Sequence, residues 1–179
     1  MIDLATAKAH LRVDTTGEDG LIGAYLAAAI SAVEGAISKP LVARSVTQNV
    51  AGFPHDGRAI RLWYGPVSGA VTINYDDSSG VAQVLTDYRL VEGSNALLLP
   101  AYGTCFPLAA FGAGSVRLIY AAGYAAGEVP PALDHAVLLL IAHFYANREA
   151  AIADVRAAAV ELPLGVDMLL APYRPIGIA

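Results

Sequence analysis

Charge is scarce in this sequence. Only 15% of its 179 residues are Asp, Glu, Lys or Arg, and the formal net charge is −5. With a pI near 5.2, the chain offers no general electrostatic attraction to nucleic acid, whose phosphates call for clustered lysine and arginine. Cysteine is scarcer still. Cys105, in "YGTCFP", is the only one, so no intrachain disulfide can form. No recognisable signature places a base beside it, and it reads as a loop residue rather than a nucleophile. Long apolar runs are missing as well. The longest, "AVLLLIAHFYA" (136–146), is too short to span a bilayer and is interrupted by His143. The start, "MIDLATAKAHLRVD", has neither the basic opening nor the continuous apolar stretch of a signal peptide. No membrane partner is expected.

What the chain does have is apolar surface. Hydrophobic residues make up 56% of it, much of the excess being alanine. A protein that buries apolar surface against partners accounts for that composition. Its periodicity changes twice along the chain. Residues 1–40 read as helical: Asp3 can cap a short helix in which Leu4, Ala7 and Leu11 share a face. "DTTGEDG" breaks it. A longer helix from about Asp19 carries Ile22, Tyr25, Leu26, Ala29, Val33 and Ile37 at steps of three and four, until Lys39-Pro40 stops it.

Residues 41–128 switch to a period of two. Ile60 and Leu62 alternate with Arg61 and Trp63; Val71, Ile73 and Tyr75 share a face, as do Val116, Leu118 and Tyr120. "DDSSG" and "EGSN" are turn signals. About six short strands joined this way predict an antiparallel sheet or small barrel. Residues 129–162 return to helix, opened by prolines suited to a first turn, with Leu133, Val137, Leu140, Ile141, Phe144 and Tyr145 on one broad face and a break near Asn147. Residues 163–179 read as an extended tail with at most one short helical turn. The fold class is therefore α+β: a small helical bundle from the two ends of the chain, an inserted antiparallel β region, and an extended C-terminal tail.

Catalytic and metal chemistry find little to stand on. His135 and His143 lie eight residues apart, about 12 Å along a helix axis, too far to share one metal. Asp76-Asp77 lack the alternating acids of a calcium loop and fit a hairpin turn. No serine sits in a nucleophile elbow, and "GAGS" and "AAGYAAG" match no phosphate or dinucleotide loop. No catalytic, cofactor or metal residues are expected. Asn147, Arg148 and Glu149 form a polar cluster at a helix end; it could hold an anion, but Arg148 is better placed to bridge to an acid on a neighbouring helix or subunit. The aromatics Trp63, Tyr64, Tyr75, Tyr88, Tyr102 and Tyr120 leave an alternative open, a carbohydrate- or ligand-binding module.

Several segments, taken in order, resemble the phage head–tail connector (head-completion adaptor) family, in its longer branch with an inserted β region. They are "AKAHLRVD" (7–14), "YLAAAISAVEGAIS" (25–38), "FP" at Phe53-Pro54 with the strand 60–67, and "INYDDSSG" (73–80). "DYRL" (87–90), "VRLIYAAGY...VPPAL" (116–133), "LLIAHFYANRE" (139–149) and "LLAPYR" (169–174) complete them. The resemblance implies a structural role without cofactors. A ring, dodecameric in such adaptors, would dock beneath the portal protein and receive a stopper or tail-completion protein. DNA would pass through its channel without specific binding. It also implies a location at the head–tail interface of a virion or gene transfer agent, after assembly in the host cytoplasm. Beside that family, the closing "LLAPYRPIGIA" becomes a docking arm. Leu169, Leu170, Tyr173 and Ile176 would supply apolar contact and Arg174 a polar anchor, with prolines limiting the disorder that binding must remove. A tail folded back on its own helices is the alternative.

Overall fold

The computed structural model describes residues 2–148 and 164–174. The chain divides into two compact units, one made of Met1–Leu41 and Ala126–Ala179, the other of Val42–Ala125.

The first unit is helical. Asp3 Oδ1 accepts the Thr6 N–H at 2.8 Å and so caps α1 (Leu4–Leu11), satisfying one of the donors that a helix start leaves free. α2 (Asp19–Ile37) ends one residue earlier than Lys39-Pro40 requires, because Ser38 turns into the left-handed conformation (φ 53°) and its N–H returns to the Gly35 carbonyl. α3 (Pro131–Ala146) begins with proline at its first position, as expected. Ile22, Val33 and Ile37 of α2 and Leu133, Leu140 and Ile141 of α3 are fully buried, and α2 packs chiefly on α3. Each such side chain contributes about 1.5–3 kcal/mol relative to exposure.

By length and composition α2 could cross a bilayer; here its apolar stripe lies in a bundle instead. Residues 164–173, expected as extended, are helical: α4 (Leu164–Leu170) continues into a 3₁₀ turn, Ala171–Tyr173. The cause is tertiary. Val166 and Leu170, four residues apart, are both fully buried, and α4 packs mainly against α3.

The second unit holds seven strands in two antiparallel sheets. These are β1 (Arg44–Val50), β2 (Ile60–Arg61), β3 (Thr72–Asp76), β4 (Ala82–Leu85), β5 (Tyr88–Val91), β6 (Leu97–Pro100) and β7 (Val116–Ala122). One sheet runs β1-β7-β3-β4, the other β2-β6-β5. The inward residues Ile60, Leu62, Val71, Ile73, Val116, Leu118 and Tyr120 are those the alternation picks out, and they form one core with Leu98, Phe53 and Phe106. Phe53 stacks on Phe106 at 5.0 Å and meets the edge of Tyr75 at 5.3 Å.

A buried polar group ties the layers together. Gln48 of β1 is 1% exposed; its Oε1 accepts the Trp63 N–H at 2.9 Å and the Tyr120 hydroxyl at 3.1 Å, while its Nε2 donates to the Arg61 carbonyl at 3.0 Å. Burial pushes the Tyr120 hydroxyl above the usual tyrosine range. The glycine in "AAGY" also has a reason. Gly123 sits at φ 117°, where a Cβ would lie 2.5 Å from the Val42 carbonyl oxygen.

Candidate functional site: docking and assembly surfaces

The residues read as a docking arm are distributed differently along α4 and its turn. Leu170 is fully buried within its own bundle, so it anchors the segment rather than presenting itself to a partner. Leu169 and Tyr173 are half-buried. Arg174 is half-buried and its Nη2 lies 2.6 Å from Asp167 Oδ1, an ion pair that folds the turn back on α4. Met168, which the sequence did not single out, is the exposed apolar side chain here, at 73%. Ile176 lies outside the described residues.

The polar cluster at the end of α3 is built around a partner the sequence hid inside a helix-breaking stretch. Glu18, just before α2, accepts the Tyr145 hydroxyl through Oε2, and its Oε1 lies 3.0 Å from Arg148 Nη1. The Arg148 guanidinium also covers the Tyr145 ring at 4.2 Å. The Tyr145 hydrogen bond, and then Arg148, hold the Glu18 carboxyl below its ordinary value; the same Glu18 contact raises both Tyr145 and Arg148. The group therefore fastens the start of α2 to the end of α3, an inter-helix contact. Asn147 caps α3, its Nδ2 donating to the His143 carbonyl at 2.9 Å. Glu149 lies outside the described residues.

One face of α2 is bare. Gly20, Ala24, Ala27, Ala28, Ser31 and Gly35 are all exposed and recur at helical spacing, a smooth uncharged strip.

The aromatic residues of the β unit do not act as a set. Tyr120 is core, Tyr75 packs on Phe53, and the Tyr88 hydroxyl accepts the Val71 N–H at 2.8 Å. Trp63 and Tyr64 are exposed, and Tyr102 is exposed with the Arg89 guanidinium over its ring at 3.7 Å. Asp77 shapes the β3–β4 turn: its carboxylate accepts the Ser79 and Val81 N–H groups, which lower its pKa. Cys105 is exposed and free. His135 is exposed and His143 half-buried, and among the described residues no three acidic, histidine or cysteine side chains gather where a metal could bind.

The architecture is of the α+β class, a helical bundle with an inserted β unit, and the bonds among the described residues cap helices, shape turns and join neighbouring elements. Comparison with known proteins makes that class specific. The profile of the Phage gp6-like head-tail connector protein family matches residues 1–62. A chain of the "Neck of empty GTA particle computed with C6 symmetry" is 28% identical, with a TM-score of 0.78, over 99% of this chain and 91% of that one. A chain in the "Virion of native gene transfer agent (GTA) particle" is also 28% identical, with a TM-score of 0.76 and the same coverage. A third, from the "Neck of native GTA particle computed with C12 symmetry", gives 28% and 0.75 over 98% of this chain and 90% of that one. No curated protein matches the sequence. The resemblance to head–tail connectors stands: the family's signature lies in residues 1–62, and the fold of the neck chains extends along nearly the whole chain.

Proposed function

We propose that this protein is a head–tail connector of a phage-like particle, of the gene transfer agent kind. It forms a ring beneath the portal, passes DNA through the ring's channel, and receives a stopper or tail-completion protein below. The observation that carries this reading is the end-to-end match to neck chains at 28% identity, two of them in necks treated with sixfold or twelvefold symmetry. A dodecamer is the oligomer that fits the C12 neck.

The bare strip on α2 supports a ring. Small side chains allow another backbone to approach closely, and no charge must be desolvated when they are covered. The net charge of −5 suits a channel that DNA crosses without adhering. Docking to the portal runs through the C-terminal segment: Leu169, Tyr173 and Arg174 at its base, then Ile176, with Leu170 holding the base to α3. The β unit is an insertion facing outward or toward the next component, and the particle is assembled in the host bacterial cytoplasm.

Truncation tests the docking arm. Because Leu170 belongs to the bundle core, the cut is placed after it, removing residues 175–179 only. The shortened chain is expected to keep its thermal midpoint and to lose binding to purified portal rings by tenfold or more. Unchanged affinity would remove residues 175–179, Ile176 among them, from the docking surface.

A further inference from the structure

Among the described residues, the four-stranded sheet of the β unit has two edges without a strand partner, β1 and β4. We infer that these edges meet between neighbouring copies, β4 of one chain pairing with β1 of the next. This inference rests on the ring reading above and names the surface that would extend it into the β unit.

Hydrogen-bond parity shows which groups of these edges have no strand partner among the described residues. Asp77 N–H donates to the Val81 carbonyl at 2.9 Å, so with the register Asp76↔Ala82 and Asn74↔Val84 it is Gln83 and Leu85 that turn their backbone groups toward β3. The N–H and C=O of Ala82 and Val84 point away. On the other side, Asp76 N–H donates to the Ser115 carbonyl at 2.9 Å, which assigns Arg117 and Ile119 of β7 to β3. Val116, Leu118, Tyr120 and Ala122 then serve β1, through Val50, Gln48, Val46 and Arg44. Ser45, Thr47 and Asn49 are left pointing outward.

Open edges invite association, and folded proteins normally blunt them with charge, proline or a bulge. β4 has none of these. "VAQVL" (81–85) carries no charged residue or proline, and Val81 and Val84 are 53% and 62% exposed. β1 has its only charge at its first residue, Arg44.

The sheet's construction favours a second copy as the occupant. Its four strands alternate in direction throughout, so β1 and β4 run oppositely. Placed side by side, β4 of one copy is antiparallel to β1 of the next. This is a head-to-tail contact, which generates rings rather than closed dimers. At about 4.8 Å per strand each copy would advance the sheet by about 19 Å. Twelve copies, as in a C12 neck, would make a belt roughly 230 Å around.

Cysteine cross-linking tests the contact in the full-length chain with Cys105→Ser. Val84→Cys is combined in turn with Ser45→Cys, Thr47→Cys and Asn49→Cys. Within one chain the two edges lie about 14 Å apart, beyond disulfide reach, so any bond joins copies. Oxidation of assembled rings should convert one pairing into a ladder of covalent multimers on a denaturing gel, while single-cysteine controls stop at dimers. Val84→Pro, which removes an N–H that β3 does not use, should leave the monomer's circular dichroism unchanged and slow ring assembly tenfold or more. Rings that give no ladder with any pairing, and that form normally with Val84→Pro, overturn the edge contact and leave the ring itself standing. Failure of the unmodified chain to form rings, alone or on portal, overturns both.

Discussion

Gln48 shows how one side chain can hold two sheets in register. It is one of the buried polar residues among those described, and three hydrogen bonds bind it to Arg61, Trp63 and Tyr120. Replacing it by leucine fills the space but strands the Trp63 N–H and the Arg61 carbonyl. We expect Gln48→Leu to cost about 2–3 kcal/mol in urea unfolding, the usual penalty for leaving buried polar groups without partners. A change below half that would mean that water or the Tyr120 hydroxyl takes over its role. The alternation of β1 places Gln48 on the core face, yet no sequence pattern says that a glutamine will be satisfied there. Glu18 was hidden in the same way. It lies in a stretch read as a breaker, and only the fold brings it to Tyr145 and Arg148, 127 residues or more further along the chain.

At the scale of elements, α2 carries two faces of different character. Ile22, Ala29, Val33 and Ile37 form the buried stripe, readable from spacing alone. Gly20, Ala24, Ala27, Ala28, Ser31 and Gly35 form the bare one. We expect Ala28→Arg to leave the monomer's melting temperature within a few degrees, because the site is exposed, and to abolish ring assembly by placing a bulky charge in a close helix contact. Size-exclusion chromatography with light scattering would check both, and normal rings would move the inter-copy contact off this face. α4 teaches the opposite lesson. Gly165 within it and the flanking Pro163 and Pro172 argue for an extended tail, but Val166 and Leu170 gain more by docking on α3 than the local sequence loses by forming helix.

At the scale of the whole molecule, the β unit is a compact unit with its own core. Its entry and exit strands lie side by side, Ala43 N–H donating to the Tyr124 carbonyl at 3.2 Å. Residues 42–125 expressed alone are therefore expected to fold and unfold cooperatively, with dispersed amide signals in an NMR spectrum. A molten fragment would show that the helical unit is needed to complete it.

The sequence by itself determined that α1, α2 and α3 become helices and the stretch between them a sheet region, which strand residues face inward, and how α1 and α3 begin; the helix expected to run on to residue 162 lies, from 149, outside the described residues. These follow from local rules, the 3.6 and 2.0 periods and capping chemistry, which act within a few residues. Its resemblance to connectors also survived comparison with known folds. Only the tertiary structure decided that Leu170 is a core residue, that Arg174 is held by Asp167, and that Glu18 closes on Arg148. It alone shows the α2 strip and the β1 and β4 edges uncovered among the described residues. Whether a side chain is buried, paired or free depends on what the rest of the chain brings against it, and that is a property of distant contacts which no local pattern encodes.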